Sequence, residues 1–192
     1  MNISFMPELE TERLLLRQVK TDDLEGWAQS VFADPEAMRY MPKRTITPYE
    51  RAEQAMNNFS RYWTEHGLGA WGVTDKKNGQ FLESCYLEPP EDSGTGDVEL
   101  GYDLAKAFWG QGITTEAARA VLRFSFENNN LERIVAIVVP ENIGSWRVLE
   151  HIGFVYEKNA HIYDFDVVYY AITREQFQPG DSFYRLHEPG KK

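Results

Sequence analysis

The sequence predicts an α+β fold in which helices pack on a mostly antiparallel sheet. Three observations predict it. Apolar periodicity and capping residues give the element order β-α-α-β-β-β-α-β-α-β-β. Apolar strand patterns joined by short turn-forming stretches recur, as hairpins require. The strands and helices lack the regular βαβ alternation of a doubly wound fold. A chain of 192 residues suits one domain, and 42% hydrophobic with 14% aromatic residues supplies its core.

Residues 13–19, RLLLRQV, form a short apolar run bounded by charge and read as a strand. Thr21 can cap a helix through about Ala33, which Asp34-Pro35 would end while starting a short successor. The stretch TITPYERAEQAMNNFSRYW opens with a capping box: Thr47 at the cap, Pro48 first in the helix, Glu50 reaching back. Ala52, Ala55, Met56 and Phe59 then recur at helical spacing. AWGVTD and QFLESCYLE flank KKNG as a hairpin, and residues 88–96, EPPEDSGTG, are a loop by composition. DVELGYDL alternates, with Val98, Leu100, Tyr102 and Leu104 on one face and Glu99, Gly101 and Asp103 on the other. A glycine turn then leads into a helix with Ala117, Val121, Leu122 and Phe124 on its apolar side. Residues 133–139, RIVAIVV, are β-branched without alternation, as in a central strand covered on both faces. Asn142 caps a short helix that Gly153 stops. Two strands, FVYEKN and IYDFDVVYYAIT, follow. The polar stretch from Arg174 carries no fold signal, so the domain is drawn at 1–177 with a tail over 178–192.

Lys and Arg number 20 against 30 Asp and Glu, a formal charge of -10. That balance disfavours nucleic acid or an anionic membrane as main partner. It suits a basic or neutral acceptor, or serves solubility alone. The single cysteine, Cys85, excludes an internal disulfide and a cysteine-rich zinc site, and its apolar run FLESCYL marks a buried structural thiol. Four scattered histidines form no metal spacing, so no metal is expected. MNISFMPELETERLLLR has no basic start before a long apolar stretch, and no window suits a membrane span. These features point to a cytoplasmic protein with no membrane partner.

The stretch AFWGQGITTEA runs Gly110 and Gly112 into a helix N-terminus, where free N–H groups and the helix dipole favour an anion. A triphosphate P-loop would need Gly-Lys-Ser/Thr, but Ile113 follows Gly112. A dinucleotide fingerprint would need a third glycine, and Thr115 stands there. A pyrophosphate held by amides from Gly110 through Gln111 and Gly112 to Thr115 fits, with the Thr114 and Thr115 hydroxyls as extra donors. A plain turn capped by Thr114 or Thr115 is the competing reading.

The pair FWGQGITTEA and NIGSWRVLEHIGF, within a chain running from ETERLLLR to YYAITREQF, resembles the GCN5-related N-acetyltransferases (GNAT). The likeness is to the branch that includes ribosomal-protein alanine N-acetyltransferases, and it covers most of the chain. It implies a sheet with helices on both faces and two central parallel strands, VELGYDL and RIVAIVV, that splay to admit acetyl-CoA. Pantetheine would pair with main-chain groups near Tyr102 and Leu104. The family's phosphate-loop spacing falls on Trp109, Gly112 and Thr114, and Thr114 departs from the usual Gly or Ala. Asn142 matches a residue that contacts the pantetheine arm, and a plain helix cap is its alternative. Ser145 matches a position near the cofactor sulfur, a candidate proton donor to the leaving thiolate, or simply a small residue in a first helical turn. Trp146, Val148, Leu149 and Ile152 read as packing.

Direct attack of an amine on a thioester needs an unprotonated amine, oxyanion donors and a proton for sulfur. Glu99 is the best placed base on the strand expected to line the site, with an exposed cross-strand glutamate as the alternative. The implied activity is acetyl transfer from acetyl-CoA to a primary amine in a ternary complex, by a monomer or homodimer. The acceptor is either a protein N-terminal α-amine or a small amine. The rival class is a non-catalytic acyl-CoA-binding module on the same fold.

Overall fold

The computed structural model describes residues 6–162, 164–180 and 184–188. Among the described residues nine strands are present: β1 (Glu8–Glu10), β2 (Leu14–Arg17), β3 (Ala70–Asp75), β4 (Phe81–Glu88), β5 (Glu99–Leu104), β6 (Arg133–Val138), β7 (Val155–Ile162), β8 (Phe165–Thr173) and β9 (Arg185–His187). They form one sheet in the order β7-β8-β6-β5-β4-β3-β2-β1-β9. Every neighbouring pair is antiparallel except β5 and β6. Those two run parallel and register at a single position, Glu99 opposite Val135. Beyond it they part, which is the splay.

The helices are α1 (Leu24–Trp27), α2 (Pro48–His66), α3 (Ile113–Asn128) and α4 (Ile143–His151). On β4, Tyr86 stacks with Phe59 of α2 at 4.9 Å and Glu88 accepts from Tyr62 of α2. Glu83, on the opposite face of that strand, accepts from Thr114 of α3. Side chains alternate along a strand, so α1 and α2 cover one face and α3 the other. Edge-to-face packing of Trp71 on Phe124 at 5.6 Å fixes the α3 side, and a tilted contact of Trp27 on Phe81 at 5.5 Å fixes the α1 side.

The capping box on α2 forms as read: Thr47 accepts from the Glu50 N–H while the Glu50 carboxylate takes the Thr47 N–H, and Gly67 ends the helix left-handed. The segment after Thr21 differs. It is a 3-10 turn (Thr21–Asp23), the one-turn α1, then a π turn (Ala28–Phe32). Asp23, not Thr21, accepts the Lys20 N–H, at 2.7 Å, because its carboxylate is already held by Arg17. The strand Glu8–Glu10 carried too few residues to show a pattern. Ile162 ends β7 instead of starting β8, and the turn between them includes Asp164 at φ 63. The stretch expected to stay unfolded also contributes a strand: β9 pairs with β1, and His187 meets Glu10 at 2.8 Å. An open strand edge offers main-chain groups that a polar segment can satisfy as well as an apolar one. None of the described helices is long and apolar enough to cross a membrane.

Candidate active site

The glycine turn takes its shape from backbone freedom. Gly110 and Gly112 both adopt φ 73, a left-handed conformation that disfavours side-chain-bearing residues. Gly112 is the N-cap of α3, and no side chain caps the helix. Neither Thr114 nor Thr115 is the cap. The first-turn amides therefore face outward without a side-chain acceptor, the arrangement an anion needs. Arg13 braces the turn: its guanidinium donates to the Gln111 carbonyl at 2.9 Å and pairs with Glu116 at 2.6 Å. Sequence reasoning did not single out Arg13, because nothing local to residues 13–19 shows what lies across from them.

Thr114 turns inward. It is 6% exposed and its hydroxyl donates to Glu83 at 2.7 Å. Its β-branched side chain thus lies beneath the turn, outside the amide cradle. Glu83 is wholly buried and its other oxygen has no partner among the described residues. Burial pushes its carboxyl up to about 8, with the Thr114 hydrogen bond pulling the other way and Asp103 adding to the rise.

The Val135 N–H donates to the Val98 carbonyl at 2.9 Å. Alternate residues of β5 direct main-chain groups to the same side, so Leu100, Tyr102 and Leu104 aim theirs into the splay. At Leu104 the carbonyl already accepts from the half-exposed Trp109 indole at 2.9 Å, which ties the glycine turn to the strand. Tyr102 has a second role that the sequence did not show. Its phenol lies 2.9 Å from the Ser145 hydroxyl and donates to the Ser145 carbonyl at 3.1 Å. Burial raises this phenol well above its ordinary value, so it stays protonated. Asn142 caps α4 by accepting the Ser145 N–H at 3.2 Å. Tyr102, Asn142 and Ser145 thus form one cluster across the splay.

Glu99 stands at the apex, where β5 and β6 still pair. Its carboxylate has a buried oxygen with no hydrogen-bond partner among the described residues. Burial, reinforced by the Glu88 carboxylate opposite, pushes it up to about 8. Gly101, two residues on, is crossed by the Tyr86 ring, whose Cζ would sit 2.4 Å from any Cβ there. Asp103 completes this face with hydrogen bonds from the Trp27 indole at 3.0 Å and the Ser84 hydroxyl at 2.7 Å; burial raises it to about 6 against those bonds. Cys85 is buried as expected, and burial pushes its thiol up. Among the described residues no group of three His, Cys, Asp or Glu could hold a metal.

The model of the acetyltransferase (GNAT) domain family matches residues 13–155. The chain belongs to the GNAT family. It is 28% identical over 178 residues to "Uncharacterized N-acetyltransferase p20" of Bacillus licheniformis, covering 90% of this chain and 99% of that protein. The crystal structure of an acetyltransferase from Agrobacterium tumefaciens superposes with a TM-score of 0.75 at 26% identity, over 90% of this chain and 98% of that one. Mycobacterium smegmatis RimJ in complex with CoA-disulfide shares the fold with a TM-score of 0.71 at 23% identity, over 89% and 91% of the two chains. The family assignment makes this protein an acetyl-CoA-dependent N-acetyltransferase.

Proposed function

We infer that the protein transfers acetyl from acetyl-CoA to a primary amine by direct attack within a ternary complex. The observation that carries this reading is the partly buried Glu99, with an unpartnered oxygen at the apex of the splay. A carboxylate whose affinity for protons matches neutral to mildly basic pH suits a base that must take a proton from an ammonium or an attacking amine.

The remaining roles follow from position. The amides of Gly110 to Thr115 hold the pyrophosphate, with Gln111 fixed by Arg13. The Thr114 hydroxyl supports this turn from below, on Glu83, and does not reach the ligand. Tyr102 offers its main chain to pantetheine, while the Leu104 carbonyl secures Trp109. Ser145 supplies the proton to the departing thiolate, and the Tyr102 phenol, 2.9 Å away, holds the Ser145 hydroxyl in place. Asn142 sets the start of α4 and so the position of Ser145. The N–S balance is simple: the amine nitrogen gains the acetyl carbon, the C–S bond breaks, and one proton passes from nitrogen to Glu99 while another reaches sulfur.

The test is acetyl-CoA consumption, followed as free thiol, against N-terminal peptides, polyamines, amino acids and aminoglycosides. Thiol release that falls in Glu99→Gln, with acetyl-CoA affinity unchanged, supports the reading. Tight CoA binding without thiol release on any amine would assign the non-catalytic acyl-CoA-binding module instead.

A further inference from the structure

On the Glu99 face of the sheet, between the start of α2 and the segment leading into it, lies a cavity of about 270 Å³. Its walls combine the apolar Phe32, Met38 and Met41 with three cations, Lys43, Arg44 and Arg51. No carboxylate lines it among the described residues, although the chain carries 30 Asp and Glu against 20 Lys and Arg. Random sampling of so acidic a chain would favour the opposite mixture.

Arg51 is the key member. Its guanidinium is half-buried, donates to the Pro42 carbonyl at 3.1 Å and lies 5.4 Å from the Phe32 ring centroid. Neither it, Lys43 nor Arg44 makes an ion pair among the described residues. A partly desolvated cation beside a second one, Arg44, is costly unless an anion joins it. Planar guanidinium groups favour carboxylate and phosphate oxygens.

The cations of the cavity lie near residues of the candidate active site. Asp103 and Tyr86 lie within electrostatic reach of Arg51, and Arg44 within reach of Glu88, the residue opposite Glu99. Tyr40 donates to the Glu141 carbonyl at 3.2 Å, so the segment that walls the cavity is tied to the loop before α4. The phosphate turn belongs to α3 on the other face of the sheet, which leaves this cavity free for the acceptor.

We propose that the acceptor is a small amine bearing an anionic group, a carboxylate or a phosphate, which docks at Arg51, Arg44 and Lys43 while its amine reaches Glu99. This rests on the transferase reading above and replaces the expectation, drawn from net charge, of a basic or neutral acceptor. The volume corresponds to roughly nine water molecules, enough for one terminal group and its short arm.

Calorimetric titration of the CoA-loaded protein with ω-amino carboxylates from glycine to ε-aminohexanoate, with the matching amides and with phosphoethanolamine, tests it. At least one anionic amine is expected to bind at least tenfold more tightly than its uncharged partner, and the carboxylate and phosphate arms identify which anion the site takes. Arg51→Met should erase that preference while leaving CoA affinity intact. Should Arg51→Met fail to fold, Arg44→Glu at an exposed position should reduce the preference or reverse it toward the amides. Equal binding of acids and amides, no binding of any anionic amine, or an unchanged preference in a folded Arg51→Met or Arg44→Glu protein would overturn the proposal. Thiol release in the wider amine panel is read separately, so a transferase that prefers polyamines refutes the acceptor class and leaves the chemistry standing.

Discussion

Glu83 and Glu99 sit on neighbouring strands with similarly raised affinities for protons, yet they face opposite sides of the sheet and different partners. Glu83 accepts from Thr114 under the phosphate turn and reads as a positioning residue. Glu99 faces the side proposed for the acceptor. Replacing Glu99 with Gln is expected to lower kcat on the order of a hundredfold, within the range for loss of a general base, with little change in acetyl-CoA affinity. In the wild type, kcat/KM should rise with pH through about 8, as Glu99 ionises, and Glu99→Gln should lose that limb. A pH–rate profile shared by both proteins would remove Glu99 from the base role. Glu83→Gln keeps an acceptor for Thr114 and removes a buried charge. It should raise stability at pH 8 by a few kcal/mol at most, measured by urea unfolding, with no gain at pH 4.

At the scale of the element, the start of α3 depends on two left-handed glycines and on Arg13, which reaches over from the strand edge. Gly112→Glu places a side chain at φ 73 and a negative charge beside an amide cradle meant for an anion. CoA binding should be lost while circular dichroism reports a folded protein; near-wild-type calorimetric binding would refute the cradle. Helix α2 offers a contrast, since its capping box lies on the face of the sheet opposite the glycine turn. Thr47→Ala should cost about 1 kcal/mol in thermal or denaturant unfolding and leave CoA affinity where it was.

For the whole molecule, three carboxyls shifted upward by desolvation give stability a pH dependence whose sign can be worked out. In the unfolded chain these groups titrate near pH 4. In the fold, Glu83 and Glu99 titrate at about 8 and Asp103 at about 6. Between those limits the folded state binds more protons, so this contribution to stability falls as pH rises from about 4 to 8. Below that window the groups are protonated in both states and the penalty vanishes. Melting temperature should therefore be lower at pH 8.5 than at pH 6, and Glu83→Gln should flatten the difference. A melting temperature that climbs over this interval in the wild type would show that other groups dominate.

Local chemistry made much of this protein legible in its sequence. The capping box at Thr47, the KKNG hairpin, the alternation of residues 98–104 and the asparagine-capped α4 each depend on neighbours a few residues apart, so their rules operate without tertiary contacts. Gly110 and Gly112 were recognisable because their backbone geometry excludes most other residues. The partners of those elements were not legible. Arg13 to Gln111, Glu83 to Thr114 and Tyr102 to Ser145 join residues separated by 98, 31 and 43 positions, and only strand order brings them together. Burial then alters their chemistry, because a carboxyl's affinity for protons depends on surrounding dielectric and not on its sequence neighbours. The strand β9 has the same origin, since it depends on an open sheet edge. The cavity's three cations, Lys43, Arg44 and Arg51, are near neighbours in sequence, and the fold decides only that they face one space. The sequence by itself determined most of the elements and the glycine turn, because short-range sterics and hydrogen bonding suffice for both. Tertiary structure decided which carboxylate oxygens are left unpartnered and how far each carboxyl is shifted, because desolvation and Coulomb interaction act through space rather than along the chain.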